Sequence, residues 1–310
     1  MDFLLILGGL ILLILGGNWL LKSAVALSLK LEIPKIVIGM TVVSFATSAP
    51  ELIVSIRAAL SGASDLALGN VVGSNIANIS LVLGITLLFG TMEVQKSFYK
   101  TDWPVMILSS FILFYFLKDD QIILQYEGII LLSLLVVFLI FLLRFQKTAV
   151  IDELPEDDKP LPLHQIVFFI SIGGVGLWGG SELLIKGAIS LAEDFEVSER
   201  IIGVTVVSVG TSIPELAASI IAIIKKEKAI SLGNLVGSNI FNILAVIGIT
   251  AIITPIEVVD QKFLSNDIYW MLGTALLILP LVFFPKGLRL NWIDGVVLLL
   301  VYSGFIYWTL

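Results

Sequence analysis

The sequence has no cysteine and only one histidine, His164, in 310 residues. The first absence excludes disulfides, thiolate metal sites and thiol catalysis, and the two together leave no soft ligand set for zinc or copper. Charge is also scarce, at 14%, against 58% hydrophobic residues and a mean hydropathy of +1.06. That leaves too little polar surface to cover a water-soluble globule, so the chain reads as an integral membrane protein whose first partner is the lipid bilayer. The ten-residue alternation of a membrane barrel is missing, whereas the apolar runs reach the roughly 20 residues a spanning helix needs. The expected class is an all-α membrane bundle. A net charge of −7 comes largely from one loop; no nucleic acid, prosthetic group or obligatory protein partner is implied.

What the sequence does contain is one unit written twice. IGMTVVSFATSAPEL at Ile38–Leu52 recurs as IGVTVVSVGTSIPEL at Ile202–Leu216, with Thr47 and Thr211, and Glu51 and Glu215, each 164 residues apart. The first repeat covers 1–145, with its motif at 38–90, and the second covers 164–310, with its motif at 202–254. Between them, 146–163 holds DELPEDDKPLP, which reads as a solvated acidic linker on the cytoplasmic side. Each repeat carries five apolar runs, near 3–21, 35–60, 66–90, 101–117 and 122–143, then 167–185, 200–224, 230–253, 267–285 and 290–309. The expected fold is therefore ten transmembrane helices.

Five spans is an odd number, so the second repeat enters the membrane from the opposite side and the repeats are inverted. Alternate loops collect Lys22, Lys30, Lys35, Lys96, Lys100, Arg144, Lys147, Lys159, Lys225, Lys226, Lys228, Lys286 and Arg289 on one side. The other side receives Arg57, Lys118, Lys186, Arg200 and Lys262. The richer side is expected to be cytoplasmic, which places both termini outside a plasma membrane. The run from Phe3 to Leu21 lacks a basic n-region and a cleavage motif and has a counterpart in the second half, so it reads as a retained span.

Chemistry concentrates in spans two, three, seven and eight, which are expected to be broken. Pro50 has no N–H for the carbonyl of Ala46, so the helix should break before it, with Thr47 or Ser48 capping the half-helix that follows. Such irregular backbone is tolerated in a membrane where it lines a cavity or packs in protein. In the third span Asn70, Ser74 and Asn78 share a helix face beside Gly69 and Gly73, and Gly233, Asn234, Gly237, Ser238 and Asn242 repeat the pattern. Gly9 and Gly16 in the first span align with Gly173 and Gly180 in the sixth; such small residues allow close packing or sliding. His164, at the linker's end, reads as an interfacial residue.

A carboxylate at mid-membrane costs about 2.5 to 3.5 kcal/mol and needs a partner. No lysine or arginine lies at that depth in either broken helix, so the natural partner is a cation from solution. Thr47 with Glu51, and Thr211 with Glu215, stand four residues apart, putting a hydroxyl and a carboxylate on one face. The resulting set of carboxylates, hydroxyls, amide and backbone carbonyls is all oxygen, as hard cations and calcium in particular prefer. Two glutamates neutralise one divalent ion.

ATSAPE with GNVVGSNIAN, and GTSIPE with GNLVGSNIFN, resemble the paired α-repeats of the sodium/calcium exchanger family within the cation/calcium antiporter superfamily, over essentially the whole chain. The resemblance implies a secondary antiporter, not an enzyme, that exchanges Ca2+ for Na+ by alternating access around a central site. It implies Glu51 and Glu215 as shared ligands, with Thr47, Ser48, Thr211 and Ser212 beside them. Ser74 and Ser238, with the backbone carbonyls of Ser44 and Ser208, would form flanking sodium sites, and Asn78 and Asn242 would line the middle. The glycine-rich first and sixth spans would slide across the other eight. The chain departs from the family where members often carry aspartate at the place of Asn242, which leaves two carboxylates. The alternative within the fold is a proton-driven or potassium-dependent calcium exchanger, because a glutamate also binds a proton. A channel would want a continuous pore, and a metalloenzyme an open metal position with a base; the sequence has no HExxH motif.

Overall fold

The computed structural model describes residues 2–145, 161–194, 208–284 and 287–309. The body of the expected linker, the start of the seventh span, and Lys147, Lys159, Arg200 and Lys286 lie outside these. Among the described residues seven helices are long and apolar enough to cross a membrane, or eight with one bent pair. In chain order the helices are α1 (Asp2–Leu31), the bent pair α2 (Lys35–Thr47) and α3 (Ala49–Leu60), α4 (Ser64–Phe89), α5 (Trp103–Asp120), α6 (Gln125–Phe145) and α7 (Leu163–Asp194). The short α8 (Ser208–Gly210) leads into α9 (Ile213–Ile224), followed by α10 (Lys228–Ile253), α11 (Ile268–Phe283) and α12 (Trp292–Thr309).

α4 and α10 form the centre. Of their apolar windows 78% and 83% is buried, against 22–39% for α1, α6, α7, α11 and α12, which turn Phe3, Leu7, Val137, Ile140 and Leu300 outward to lipid. Small and polar residues at the middle of α4 and α10 bring other helices close, so the repeated GN–GSN motifs of the sequence occupy the best-enclosed part of the bundle.

Two expectations about these helices need correction. α1 does not stop at Leu21 but runs on through Lys22 and Lys30 to Leu31, because no proline or glycine interrupts Asn18–Ile33; the chain turns at Glu32, whose φ is 54°, ahead of Pro34. α4 and α10 are not broken. Each runs through a π-helical segment, Ala77–Val82 and Asn242–Ile247, a widened turn that re-aims side chains without freeing backbone. The expected break does occur at Pro50, where α2 and α3 meet at 44°.

Contacts between the two halves come in matched pairs. β1 (Met92–Glu93) pairs with β4 (Arg289–Leu290), and β2 (Ile122–Ile123) with β3 (Ile256–Glu257), all antiparallel. α1 and α7 run antiparallel along each other: a Cβ on Gly9 would stand 2.7 Å from the Gly180 carbonyl oxygen, and one on Gly180 2.9 Å from that of Gly9. In the GxxxG pairs, Gly237 presses on Met40 of α2, with a Cβ there 2.6 Å from the Met40 Cα. Among the described residues nothing lies within 4 Å of a Cβ on Gly69 or Gly73.

Candidate ion site

The bend at Pro50 positions the first carboxylate. Ser48 (φ −87°, ψ 2°) leaves the helix, Ala49 and Pro50 restart it, and Glu51 stands in the first turn of α3, fully buried. Ser212 has the same dihedral angles ahead of Pro214, and Glu215 is equally buried in α9. A carboxylate in the first turn gains from the N-terminal end of the helix dipole, a few tenths to about 1 kcal/mol, which offsets only part of the cost of burial.

The two glutamates are supported unequally. Glu215 Oε1 accepts from Ser48 Oγ at 3.3 Å and from Ser238 Oγ at 3.4 Å, while Glu215 Oε2 and both Glu51 oxygens have no hydrogen-bond partner among the described residues. Among the described residues neither is paired with a basic side chain; the recorded ion pairs are Lys35–Glu227, Lys186–Glu182 and Arg289–Glu93. Three buried carboxylate oxygens are thus left open. An expected cap is also reassigned: Ser48 stands at the N-cap position of α3, but its hydroxyl makes no capping bond and serves Glu215 instead. Across the repeats, a cap bond to the backbone has become a brace on the other half's glutamate.

The remaining residues gather around these carboxylates. Thr47 Oγ1 has three acceptors within reach of its single proton, the carbonyls of Val43 (3.1 Å) and Ser44 (3.3 Å) and Asn234 Oδ1 (3.1 Å), and lies 3.4 Å from Ser238 Oγ. Its counterpart Thr211 shares a hydrogen bond of 3.2 Å with Ser74. Ser44 Oγ bonds the carbonyls of Gly39 and Asn234, bracketing α2 to α10. Its backbone carbonyl accepts Ser48 N–H at 2.8 Å and has the Thr47 hydroxyl 3.3 Å away. Both amide atoms of Asn78, the Oγ of Ser212 and the Oδ1 of Asn242 are buried without partners among the described residues. Ser208 opens α8, and its side chain lies outside the described residues, as does the expected carbonyl's surrounding at 201–207. His164 is exposed at the start of α7.

Four residues outside the expected ligand set hold it in place. Asn70 Nδ2 donates to the Glu51 carbonyl at 3.2 Å and to Ser55 Oγ at 2.9 Å; Asn234 takes the same position in the second half. Asn75 and Asn239 were hidden in the motif GSN as helix-interior asparagines. Each donates to the backbone carbonyl of the other, at 3.3 and 3.2 Å. Their signal was available, because an asparagine repeated at the same offset inside an apolar span needs a buried partner.

Among the described residues no group of three or more Asp, Glu, His and Cys could hold a metal. The available donors are two carboxylates, two asparagine amides and several hydroxyls, an oxygen set suited to hard cations. This combination of a membrane bundle with a central oxygen-lined cluster defines a class, the secondary ion transporters. Within that class the chain belongs to the sodium/calcium exchanger family: the family profile described as "Sodium/calcium exchanger protein" matches residues 1–144 and 165–310. It is 38% identical to the putative antiporter CaxA of Alkalimonas amylolytica, over 97% of this chain and 96% of that one. It is 29% identical to the sodium/calcium exchanger MaX1 of Methanosarcina acetivorans, covering 98% and 97% of the two chains. The structure of the sodium-calcium exchanger NCX_Mj soaked with zero Na+ and Ca2+ superposes with a TM-score of 0.83 at 27% identity, covering 100% of this chain and 99% of that one. The protein is an antiporter-type membrane transporter and not an enzyme.

Proposed function

We propose that the protein exchanges Ca2+ for Na+ across the plasma membrane by alternating access around a site built on Glu51 and Glu215. The observation that carries this reading is the set of three unpartnered carboxylate oxygens, buried beside the open amides of Asn78 and Asn242 with no basic partner. Leaving such groups empty in a low-dielectric interior is costly, so a bound cation supplies the missing charge. Calcium fits through its charge of two and its tolerance for six to eight oxygen ligands. Thr47, Ser48, Ser74, Ser238, Thr211 and Ser212, with the Ser44 and Ser208 carbonyls, supply neutral oxygens for sodium around it.

The matched contacts between halves support a layout of two inverted five-helix repeats, ten spans in all, with both termini outside. Asn75 and Asn239, equivalent positions of the two halves, exchange bonds directly, while the remaining contacts come as pairs that the repeat interchanges: β1–β4 with β2–β3, and Gly9–Gly180 with Gly16–Gly173. Alternating access then consists of α1 and α7 moving as a pair against the rest. A second reading rests on Asn242. With only two carboxylates, one Ca2+ or two protons neutralise the site, whereas three Na+ leave a local charge of +1, so proton- or potassium-coupled calcium exchange is the alternative.

The test is calcium-45 uptake into proteoliposomes loaded in turn with sodium, with potassium or with an acid interior. Uptake driven by internal sodium and enhanced by an inside-positive potential supports electrogenic sodium/calcium exchange, since one net charge per cycle is worth about 2.3 kcal/mol per 100 mV. Uptake that follows only the proton gradient moves the function to the second reading.

A further inference from the structure

The amide of Asn242 is held at one end only. Its Nδ2 donates to Asn75 Oδ1 at 3.0 Å, while its own Oδ1 is buried without a partner. The orientation of Asn75 is itself fixed from outside the site: its Nδ2 donates to the Asn239 backbone carbonyl at 3.3 Å and lies 3.8 Å from Met271 Sδ. A backbone carbonyl only accepts, so Asn75 must turn its NH2 toward Asn239 and its carbonyl oxygen the other way. That oxygen also only accepts, so Asn242 must turn its NH2 toward Asn75. The carbonyl of Asn242 is then the atom left to face the ion site. All three residues are buried, with exposures of 1%, 3% and 0% for Asn75, Asn239 and Asn242, so each bond is made away from bulk solvent.

The same chain of contacts is not made in the other half. Asn239 donates to the Asn75 carbonyl at 3.2 Å, but among the described residues Asn239 Oδ1 and both amide atoms of Asn78 lack partners. Asn242 is therefore orientated and Asn78 is not, although the sequence writes both positions alike.

We propose that Asn75 is a positioning residue for cation binding, which fixes the Asn242 amide so that it presents a carbonyl oxygen rather than an NH2 group to the ion. This rests on the reading of Asn242 as part of the site. It also gives a physical reason for asparagine at 242: an ionised aspartate there would set an acceptor against the Asn75 acceptor, with no proton between them. Asn75 could relieve this only by giving up its donation to Asn239.

The experiment is a double-mutant cycle of Asn75→Ala and Asn242→Ala in reconstituted full-length protein, reading the calcium KM and Vmax for uptake, with calcium binding to the purified variants measured by calorimetry. Losing one neutral orienting hydrogen bond corresponds to roughly a fivefold to tenfold weakening. Asn75→Ala is expected to raise the calcium KM and Kd by about that factor with Vmax within about twofold, and to add nothing in the Asn242→Ala background. Asn75→Ser, which also withdraws the Oδ1 but retains a hydroxyl for the local backbone, is expected to give the same split and covers the case in which the alanine variant does not fold. An Asn242→Ala variant with unaltered calcium affinity would remove Asn242 from the site and overturn the underlying reading. If Asn242→Ala weakens binding but the Asn75 variants do not, or if the two effects add, the positioning role alone is overturned.

Discussion

Gly16 of α1 and Gly173 of α7 meet backbone to backbone: a Cβ on Gly16 would lie 2.8 Å from the Gly173 carbonyl oxygen, and one on Gly173 would lie 2.9 Å from that of Gly16. No side chain interlocks at this point, so the pair is close enough for dispersion to hold it and smooth enough to translate. Gly16→Leu forces the helices apart, at a cost typical of overpacking, about 1–3 kcal/mol. The expected outcome is a protein that still purifies as a monodisperse species but transports calcium at less than about a tenth of the normal rate, the loss that a strained α1–α7 pair implies for a step requiring its movement. Normal transport by Gly16→Leu would show that this contact is not kept through the cycle.

Glu51→Gln and Glu215→Gln separate stability from function. Each removes a buried charge with no basic partner, and glutamine at 215 still offers an oxygen to Ser48 and Ser238. In the absence of cation both variants are expected to melt at or above the temperature of the parent protein, because an uncompensated buried charge is destabilising. Calcium uptake is expected to disappear in both. A variant that transports at near-normal rate would remove that glutamate from the proposed site, and a marked loss of thermal stability would contradict the absence of a stabilising partner.

Ser48→Ala distinguishes the cap that the sequence suggests from the brace that the structure contains. Loss of a working N-cap costs about 1 kcal/mol, but Ser48 makes no such bond and instead donates to Glu215 at 3.3 Å. The expected result is a raised calcium KM, with a loss of stability in thermal denaturation limited to one long hydrogen bond to Glu215, about 1 kcal/mol or less. A clear drop in stability with an unchanged KM would return Ser48 to a capping role.

Much of this was legible in the sequence because the duplication repeats each important residue at the same offset. Glu51, Glu215, Thr47 and Thr211 stand out as polar groups in apolar spans, and Pro50 marks the 44° bend correctly. The rest was not legible for identifiable reasons. A π-helical segment has the same apolar composition as an α-helix, so the unbroken course of α4 through Ala77–Val82 left no trace in residue types. The extension of α1 to Leu31 was obscured by Lys22 and Lys30, which mark the membrane boundary but do not end a helix. Nor can two identical motifs reveal that Glu215 has two hydroxyl donors while Glu51 has none. That inequality belongs to one arrangement of the helices, not to the sequence that forms it.

Asn242→Asp tests whether two carboxylates set the coupling. With Glu51 and Glu215 ionised, one calcium ion would neutralise the proposed site of the parent protein, and three sodium ions would overfill it by one charge. A third carboxylate reverses this balance, favouring three sodium ions and leaving the calcium-bound site with one negative charge. The variant is therefore expected to half-saturate at lower sodium and to show a steeper sodium dependence of calcium uptake. The added oxygen is nearly equal in size to the NH2 it replaces, so the volume packed around α10 is retained; the lost donation to Asn75 Oδ1 costs about the 1 kcal/mol of one hydrogen bond, and the change should register in ion preference more than in the yield of folded protein. The measurement is sodium-dependent calcium flux in proteoliposomes at clamped potential, with the number of sodium ions per calcium taken from the reversal potential. Unchanged sodium affinity and stoichiometry would mean that the charge at 242 does not govern coupling, and that the two glutamates with their neutral ligands determine it by themselves.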